Sequence, residues 1–243
     1  MFLDSQPILV LAGVAMLAIG LSLIPRRQAY DPIKRILDLI LATPALIILS
    51  PIILTAAVAI KLDSKGSVFY AADRIGAKGR HIKVWKLRTM VADADRSGKI
   101  TSGDDPRITR VGRLLRATKI DELPQLFNII SGTMTIVGPR PESTNIVEQY
   151  YTSQDSALLE SRPGLTCPGT LYYYIHDENN RPPENMSVEQ YYAQVSLRTK
   201  LEADLYYVRH RCLAYDIKLI ALTLVIISFK FLGKRPPASS WSW

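Results

Sequence analysis

The stretch at residues 39–60, LILATPALIILSPIILTAAVAI, decides how this chain is built. It carries no charge and is long enough to cross a bilayer as a helix. Ser50 and Pro51 lie at its middle, and Pro44 lies one to two turns earlier. Because proline lacks the backbone donor and clashes with the preceding turn, we expect the helix to kink or break at Ser50 and Pro51.

Basic residues flank this apolar stretch on both sides: Lys34 and Arg35 before it, Lys61 and Lys65 after it. Since basic flanks stay on the cytoplasmic side, the pattern favours a helix-break-helix hairpin that enters one leaflet and returns. The Ser50 hydroxyl is expected to supply a hydrogen bond at the break. An ordinary kinked helix that spans the bilayer is the alternative that the pattern leaves open.

Two further segments are apolar. Residues 7–24 are uncharged, no basic residue precedes them, and several basic residues follow them. This pattern predicts a retained membrane anchor with its N-terminus outside, and not a cleaved signal. Residues 217–232 are interrupted by Lys218 and Lys230. This third segment is therefore expected to lie in the membrane interface or to pack on the folded domain.

The composition calls for an anionic partner, because the formal charge is +8 and the pI is near 9.5. Much of that charge flanks apolar segments, and aromatic residues do not alternate with the bases. Membrane lipids and phosphate are therefore the expected partners, and nucleic acid is not. Two distant cysteines and three isolated histidines form neither a disulfide framework nor a metal-ligand pattern.

The part after residue 65 alternates strand and helix signals. Residues 67–72 (SVFYAA) and 81–87 (HIKVWKL) predict a β-hairpin. Residues 108–117 predict an amphipathic helix with Val111, Leu114 and Leu115 on its apolar face. Its other face carries an arginine at every third position: Arg107, Arg110, Arg113 and Arg116. Such a face is either simply solvated or a site for headgroups and phosphates. Residues 142–160 are predicted to be helical, and Ser187 to begin a second long helix.

Two adjacent carboxylates, Asp121 and Glu122, lie just before Pro124. Proline is tolerated in the first turn of a helix, so a helix at 123–130 begins at this dyad and its amide groups favour anions there. An aspartate at a helix start is often only an N-cap. Alternatively, the pair serves as a Mg²⁺ site beside phosphate, or one carboxylate acts as a nucleophile.

Arg140 lies in the sequence Gly138-Pro139-Arg140-Pro141, where the prolines fix the backbone on both sides. A stiff loop orients the guanidinium for bidentate contact with phosphate, although a rigid turn with a solvent-facing arginine has the same pattern. Lys86 and Arg88, at the end of the second predicted strand, are further candidates for phosphate binding.

The motifs taken together resemble the bacterial sugar transferase family, the monotopic phosphoglycosyl transferases that act on polyprenyl phosphate. Eight of them occur in order along the chain: Lys34-Arg35-Ile-Leu-Asp38, Ser50-Pro51, Gly66-Ser-Val-Phe-Tyr70, Arg74-Ile-Gly76, Lys86-Leu-Arg88-Thr-Met90, Asp105-Pro-Arg107-Ile-Thr-Arg110-Val-Gly-Arg113, Asp121-Glu122-Leu-Pro-Gln125-Leu-Phe-Asn128 and Gly138-Pro-Arg140-Pro. The N-terminal segment and the sequence around Cys167 depart from the family pattern, so the resemblance does not extend to a particular sugar.

The resemblance implies transfer of a sugar-1-phosphate from a UDP-sugar to undecaprenyl phosphate, with release of UMP, as the first membrane step of polysaccharide or glycoconjugate assembly. It implies that Asp121 is the nucleophile of a covalent phosphosugar intermediate and that Glu122 helps to bind Mg²⁺ or to activate the site. It further implies that Ser50 and Pro51 break a re-entrant helix and that Arg140 contacts phosphate. The substrate-binding set is predicted as Lys86, Arg88, Arg110, Arg113 and Arg140.

The expected fold is α+β: a small, mostly helical, membrane-associated domain with a short β-hairpin, a broken re-entrant helix and interfacial amphipathic helices. The expected organisation is an anchor at 1–30, the re-entrant segment at 31–62, a cytoplasmic catalytic domain at 63–216 and an amphipathic helix with tail at 217–243. The expected location is the bacterial inner membrane, and formation of a homo-oligomer is left open. A non-catalytic scaffold that binds anionic lipid or assembly partners is the competing hypothesis.

Overall fold

The computed structural model describes residues 30–91, 94, 105–176, 183 and 185–234. The predicted anchor at 7–24 and the chain after residue 234 lie outside the described residues. The described part begins with helix α1, Tyr30–Asp63, which contains both Pro44 and Pro51. Within the described ranges, α1 is the one helix long and apolar enough to cross a membrane.

Helix α1 keeps its helical assignment through both prolines. Pro51 has no N–H to donate to the carbonyl of Ile47, four residues earlier, and the Ser50 hydroxyl donates to that carbonyl instead at 2.7 Å. The hydrogen bond expected of Ser50 is therefore present. The predicted interruption of the helix does not appear as a loss of helical backbone, and the re-entrant path stays a prediction.

At the N-terminal end of α1, Tyr30 and Lys34 bind one buried carboxylate, that of Asp216, and Arg35 donates to the carbonyls of Ile129 and Ile130. Tyr30 and Lys34 donate to Asp216 Oδ2 at 2.9 and 2.7 Å, and Tyr207 donates to Asp216 Oδ1 at 2.6 Å. One turn later, Asp38 accepts from the Thr135 hydroxyl at 2.6 Å and from a neighbouring backbone amide. The polar residues before the apolar stretch therefore dock it.

The C-terminal end of α1 is docked too. Asp63 accepts a hydrogen bond at 3.0 Å from the backbone N–H of Val111, in the first turn of the next long helix. Ile53, Ala56 and Ile60 pack against Leu87 and Leu115. Residues 43–52, between the two docked ends, include no buried side chain. One side of this middle part packs on the domain through Ala45, Leu46 and Leu49, and its other side exposes Ile47, Ile48 and Ile52.

The predicted β-hairpin is confirmed. Strands β1 (Phe69–Ile75) and β2 (His81–Leu87) pair antiparallel with Phe69 opposite Leu87 and Ile75 opposite His81. Gly79 in the connection has φ +67°, a left-handed conformation that suits glycine. Ala72 and Val84 on the inner face pack in one cluster with Ala42 of α1, so the hairpin covers part of this helix.

The remaining elements follow in chain order. They are α2 (Arg110–Thr118), a 3₁₀ turn (Ile120–Glu122), α3 (Gln125–Ser131), β3 (Thr135–Val137), α4 (Thr144–Tyr150), α5 (Ser156–Glu160), β4 (Gly164–Thr166), α6 (Pro168–His176), α7 (Val188–Tyr191), a π-helical segment (Tyr192–Leu197), α8 (Arg198–His210) and α9 (Leu213–Phe231). Two small two-stranded sheets among mostly helical elements agree, for the described residues, with the predicted α+β class.

Strands β3 and β4 form a parallel pair that the sequence did not predict, with Thr135 opposite Gly164 and Val137 opposite Thr166. The two backbones come so close that a Cβ on Gly164 would lie 2.1 Å from the nitrogen of Gly138. Glycine is required there for close approach, and the resulting contact fixes the start of the Gly138-Pro139-Arg140-Pro141 loop.

Three other predictions meet mixed outcomes. Ser187 forms the predicted capping box and begins the long helical segment. The helix predicted at 142–160 is two short helices, because the chain leaves helical conformation at Tyr151 and Thr152. Leu114, predicted on the buried face of its helix, is 63 % exposed, and Leu115 takes the buried position.

Helix α9 packs on the domain, as predicted for the third apolar segment. Leu219 and Ile226 are buried against residues of β3, α6 and α8. Leu224, Val225, Phe231 and Leu232 on the same chain segment are exposed. The helix therefore combines a packed face with an apolar face that protein does not cover in the described structure.

Candidate active site

The dyad lies in the 3₁₀ turn between α2 and α3. Lys119 ends α2 in a left-handed conformation, with φ +59°, and turns the chain so that Asp121 and Glu122 enter the domain. Both side chains are nearly buried, at 7 % and 8 % exposure. Pro124 precedes α3, so the predicted placement of the dyad at a helix start is confirmed, with a 3₁₀ turn in front of the helix.

Glu122 binds two cations that the sequence analysis selected. Its Oε1 accepts from Lys86 Nζ at 3.1 Å and from Arg140 Nη2 at 2.5 Å, and its Oε2 accepts from Arg140 Nη1 at 3.3 Å. The guanidinium therefore contacts the carboxylate with both nitrogens, as expected for a preoriented arginine. These contacts bring the second strand, the dyad and the loop after β3 together at one place.

The two carboxylates have opposite electrostatic environments. Burial, followed by the charge of Glu122, raises the pKa of Asp121 above its usual range. Burial also acts to raise the pKa of Glu122, but Arg140 and Lys86 outweigh it and hold that pKa well below the usual range. Glu122 is thus the permanent anion of the pair, and Asp121 is the more basic carboxylate.

Two buried polar atoms at the dyad have no hydrogen-bond partner within the described part of the chain: Asp121 Oδ1 and Gln125 Nε2. They belong to the same Asp-Glu-Leu-Pro-Gln motif, four residues apart, and offer one acceptor and one donor. Because a buried polar atom without a partner costs free energy, such atoms call for an explanation beyond packing. A phosphorylated ligand or a cation would satisfy one or both.

Asn128 on α3 explains how Lys86 is positioned. Its side chain accepts from the backbone N–H of Trp85 at 2.9 Å and donates to the carbonyl of Lys83 at 2.7 Å. These bonds hold β2 against the helix that follows the dyad. The asparagine of the family motif therefore acts on geometry, since it fixes the strand that carries Lys86.

Asp204 on α8 holds the Arg140 loop from the other side. It is 3 % exposed, accepts from the backbone N–H of Gly169 at 2.8 Å and from the thiol of Cys167 at 3.2 Å, and the backbone of Arg140 also donates to it. Burial raises the pKa of Asp204 to about 6. Sequence reasoning gave no role to this residue, because only the fold brings α8 beneath the loop.

The pKa of Asp204 predicts a pH-dependent stability. Since the folded-state pKa is above the unfolded one, the folded state binds the extra proton between about pH 4 and pH 6, and stability from this group falls as pH rises through that window. Asp204→Asn is expected to remove this pH dependence of the unfolding free energy. The difference in unfolding free energy between variant and wild type should therefore change by about 3 kcal/mol between about pH 4 and pH 6. Denaturant titrations at several pH values measure it, and parallel pH profiles of the two proteins would contradict it.

The structure does not bring every predicted binding residue to the dyad. The three guanidinium nitrogens of Arg88 donate to the backbone carbonyls of Ser67, Lys65 and Ser64, which pin the connection between α1 and β1. Arg110 and Arg113 are exposed on α2. Within the described chain neither makes a hydrogen bond or ion pair with the dyad, and both act electrostatically on Asp63.

Sequence reasoning gave no site role to Lys119, Tyr174 or Lys230, and it named Arg116 only as one of the arginines on a face for headgroups and phosphates. Arg116 donates to the Thr89 hydroxyl at 2.8 Å and acts electrostatically on Asp121. Lys119 and Lys230 lie over the ring of Tyr174, with their Nζ atoms 4.1 and 4.8 Å from its centroid. Burial, followed by the charge of Lys119, lowers the pKa of Lys230 to about 7. The position of Lys119 beside the dyad was the available sequence signal.

A family model described as bacterial sugar transferase matches residues 29–230, which covers nearly all of the fold described above. The chain belongs to the bacterial sugar transferase family. The residues that converge here in space, Lys86, Asp121, Glu122 and Arg140, all fall within the matched range. The predicted family is confirmed.

Individual relatives are similar over most of this chain. The UDP-glucose:undecaprenyl-phosphate glucose-1-phosphate transferase of Escherichia coli is 36% identical over 195 residues, covering 79% of this chain and 39% of that protein. The UDP-N-acetylgalactosamine-undecaprenyl-phosphate N-acetylgalactosaminephosphotransferase of Aeromonas hydrophila is 32% identical, covering 84% and 45%. The exopolysaccharide production protein PSS of Rhizobium leguminosarum is 35% identical, covering 79% and 94%. The chain thus spans less than half the length of the first two.

Proposed function

We propose that this member of the bacterial sugar transferase family transfers a sugar-1-phosphate from a UDP-sugar to undecaprenyl phosphate at the cytoplasmic face of the bacterial inner membrane. The observation that carries the proposal is Asp121 Oδ1, a buried carboxylate oxygen without a hydrogen-bond partner in the described chain, beside a glutamate held by two cations. The names of the relatives supply the substrate classes.

The first half-reaction is an attack by the Asp121 carboxylate on the β-phosphorus of the UDP-sugar. A bond forms between the carboxylate oxygen and that phosphorus, the bond to the bridging oxygen of the diphosphate breaks, and UMP leaves with the electron pair. In the second half-reaction a phosphate oxygen of the lipid attacks the same phosphorus and releases the Asp121 carboxylate. One difficult transfer is thereby divided into two displacements.

The electrostatics around the dyad support these roles. A raised pKa makes Asp121 the more basic carboxylate and therefore the better nucleophile, once it is ionised. Glu122 stays ionised and holds Lys86 and Arg140 in place. Phosphoryl transfer depends mainly on positioning and on neutralising phosphate charge, which these cations provide. Because the dyad is nearly buried, at 7 % and 8 % exposure, access of the donor to Asp121 requires a local rearrangement around it.

We propose Mg²⁺ as the cofactor. The ion takes one or two carboxylates together with phosphate oxygens and water, and Asp121 Oδ1 suits it as the oxygen that has no other partner in the described chain. Oε1 of Glu122 already accepts from Lys86 and Arg140, whereas Oε2 accepts a single hydrogen bond from Arg140, at 3.3 Å, and keeps a lone pair for the ion. Bound Mg²⁺ would neutralise charge on the donor diphosphate.

We further propose that α1 enters the membrane and returns on the same side. A straight helix from Asp38 to Asp63 would be roughly 37 Å long at about 1.5 Å per residue, enough to separate its ends by a bilayer core. Asp38 and Asp63 nevertheless both accept hydrogen bonds from the same folded domain. A kinked spanning helix would need one of those contacts to form across the bilayer.

Cysteine labelling tests this topology. In a Cys212→Ser background, Asp31→Cys and Lys65→Cys place exposed thiols at the two ends of α1. Both are expected to react with an impermeant maleimide only after spheroplasts are opened. Reaction of one position in intact spheroplasts and of the other only after lysis would identify a spanning helix.

The experiment that tests the activity is a UMP-release assay of the purified full chain with Mg²⁺, polyprenyl phosphate and a panel of UDP-sugars. At least one UDP-sugar is expected to release UMP together with a lipid-linked sugar product. If no member of the panel releases UMP while the protein still binds anionic lipid, the scaffold hypothesis replaces the transferase.

A further inference from the structure

Two lysines from distant parts of the chain meet at one aromatic ring beside the dyad. Lys119, at the end of α2, and Lys230, near the end of α9, place their Nζ atoms 4.1 and 4.8 Å from the centroid of Tyr174. Tyr174 on α6 is 8 % exposed, and its phenol feels the charges of Arg140, Glu122 and Lys119. The cluster formed by Lys119, Tyr174 and Lys230 therefore adjoins the dyad.

Lys230 occupies a position on α9 where an apolar residue is normally expected. It lies one turn after Ile226, which is 0 % exposed and packs in the same cluster as Tyr174. Residues four apart share a face of a helix, so Lys230 extends from the buried face. Two ammonium groups at one ring make the local potential more positive, which favours an anionic ligand there.

Lys119 has a costly conformation. Its φ of +59° places it in the left-handed region, where a helix end usually has glycine. A side chain at that position costs roughly 1 kcal/mol or more relative to glycine. The left-handed turn thus places the Lys119 side chain directly beside the residues that it turns into the domain.

The surroundings of Lys230 indicate which anion fits. Phe231 and Leu232 follow it directly and are 68 % and 67 % exposed, and Leu224 on the same helix is 61 % exposed. Helix α9 also packs against α2, which carries the exposed Leu114. An anion at the two lysines that continues into an apolar chain would therefore have both a charged and an apolar contact surface, whereas a nucleotide has no apolar tail.

From this arrangement we propose that Lys119 and Lys230 bind the phosphate of the polyprenyl phosphate acceptor beside Asp121, with its hydrocarbon chain along the exposed side chains of α9. The inference rests on the proposed function and adds to it the residues of the acceptor site. The ring of Tyr174 contacts both ammonium groups. Lys86 and Arg140 hydrogen-bond to Glu122, and Lys119 and Lys230 also interact electrostatically with that carboxylate.

Binding of farnesyl phosphate to the full-length protein in nanodiscs tests the proposal without requiring turnover. Lys230→Ala is expected to weaken binding about tenfold, the usual effect of losing one charge-assisted hydrogen bond, and Lys230→Arg to restore most of it. Lys218→Ala, which removes an exposed lysine from the same helix, is the matched control and should bind as wild type does. Farnesol, which has no phosphate, should not distinguish the variants.

Lys119→Gly removes the charge of Lys119 without destabilising the fold. Glycine adopts the left-handed conformation without strain, so this variant should unfold at a higher temperature than wild type while it binds farnesyl phosphate about tenfold more weakly. In steady-state assays both lysine variants should raise the KM for polyprenyl phosphate by a larger factor than they change the KM for the UDP-sugar.

Three results would overturn the proposal: unchanged affinity for farnesyl phosphate in both lysine variants, an equal loss of farnesol binding, or a change confined to the KM for the UDP-sugar. Failure of the proposed function is distinct from these, because it is absence of UMP release from wild type with every UDP-sugar. If wild type releases no UMP but its binding of farnesyl phosphate still depends on the two lysines, these lysines form a phosphate-binding site in a protein that is not a transferase.

Discussion

Replacing Asp121 with asparagine is expected to abolish the covalent phosphosugar and to reduce UMP release by at least about a thousandfold. An amide cannot attack phosphorus as a carboxylate does, and the substitution would leave Lys86 and Arg140 on Glu122 undisturbed. Intact-protein mass spectrometry, after mixing with UDP-sugar and without acceptor, should show the sugar-phosphate mass on wild type only. UMP is quantified in the same reactions.

The same variant should not lose stability. Burial raises the pKa of Asp121, so its ionised form costs free energy at neutral pH, and the neutral amide removes that cost. The melting temperature is expected to stay the same or to rise. Asp73→Asn, at an exposed aspartate of β1 that pairs with Lys83, is the matched control and should keep full activity. UMP release by Asp121→Asn within about tenfold of wild type would remove the nucleophile role from this residue.

Glu122→Gln is the second change with a large expected effect, and here the effect is on stability as well as on rate. The variant leaves Lys86 and Arg140 facing a neutral amide in a buried site, and loss of one partner from a buried charge cluster costs about 3–5 kcal/mol. Since glutamine keeps an acceptor, we expect about 3 kcal/mol, the lower end of that range. Denaturant unfolding measures it, and Glu148→Gln at an exposed site of α4 is the control.

The pH dependence gives this prediction a second readout. The pKa of Glu122 in the folded protein is held well below its value in the unfolded chain. The ion pairs therefore stabilise the protein fully at a pH above the unfolded-state pKa, and this contribution is lost as the pH falls towards the folded-state pKa. The stability gap between wild type and Glu122→Gln should narrow in acid. Adding Lys86→Met to Glu122→Gln should recover part of the loss, because one unpaired cation disappears. A gap below about 0.5 kcal/mol at neutral pH would show that the cluster contributes no net stability.

Several features of this fold follow from local sequence. Alternating β-forming residues on either side of a glycine-containing turn predict β1 and β2, and the capping box at Ser187 predicts the start of α7. Pro124 predicts that the dyad precedes a helix. The sequence also selected Lys86 and Arg140 as cations of the site, because one ends a strand and the other lies in a stiff loop.

Other features depend on contacts between distant residues and leave no local pattern. Nothing near Asp204 or Gly169 in the sequence indicates that α8 supports the Arg140 loop. The parallel pairing of β3 and β4 joins two strands of three residues each, too short for an alternating pattern to be read. Arg88 was expected at phosphate because it closely follows Lys86, but the fold places the carbonyls of residues 64–67 within its reach, and the chain uses it to bind them.

The carboxylate of Asp216 has a mechanical consequence for work at a lipid surface. It receives Tyr30 and Lys34 from the start of the apolar helix and Tyr207 from α8, while its own backbone lies in the first turn of the C-terminal helix. The two apolar helices, α1 and α9, are therefore fastened at a common point in their first turns. Under the proposed function, this joint would hold both helix starts on the domain that carries Asp121 while the middle of α1 enters the bilayer.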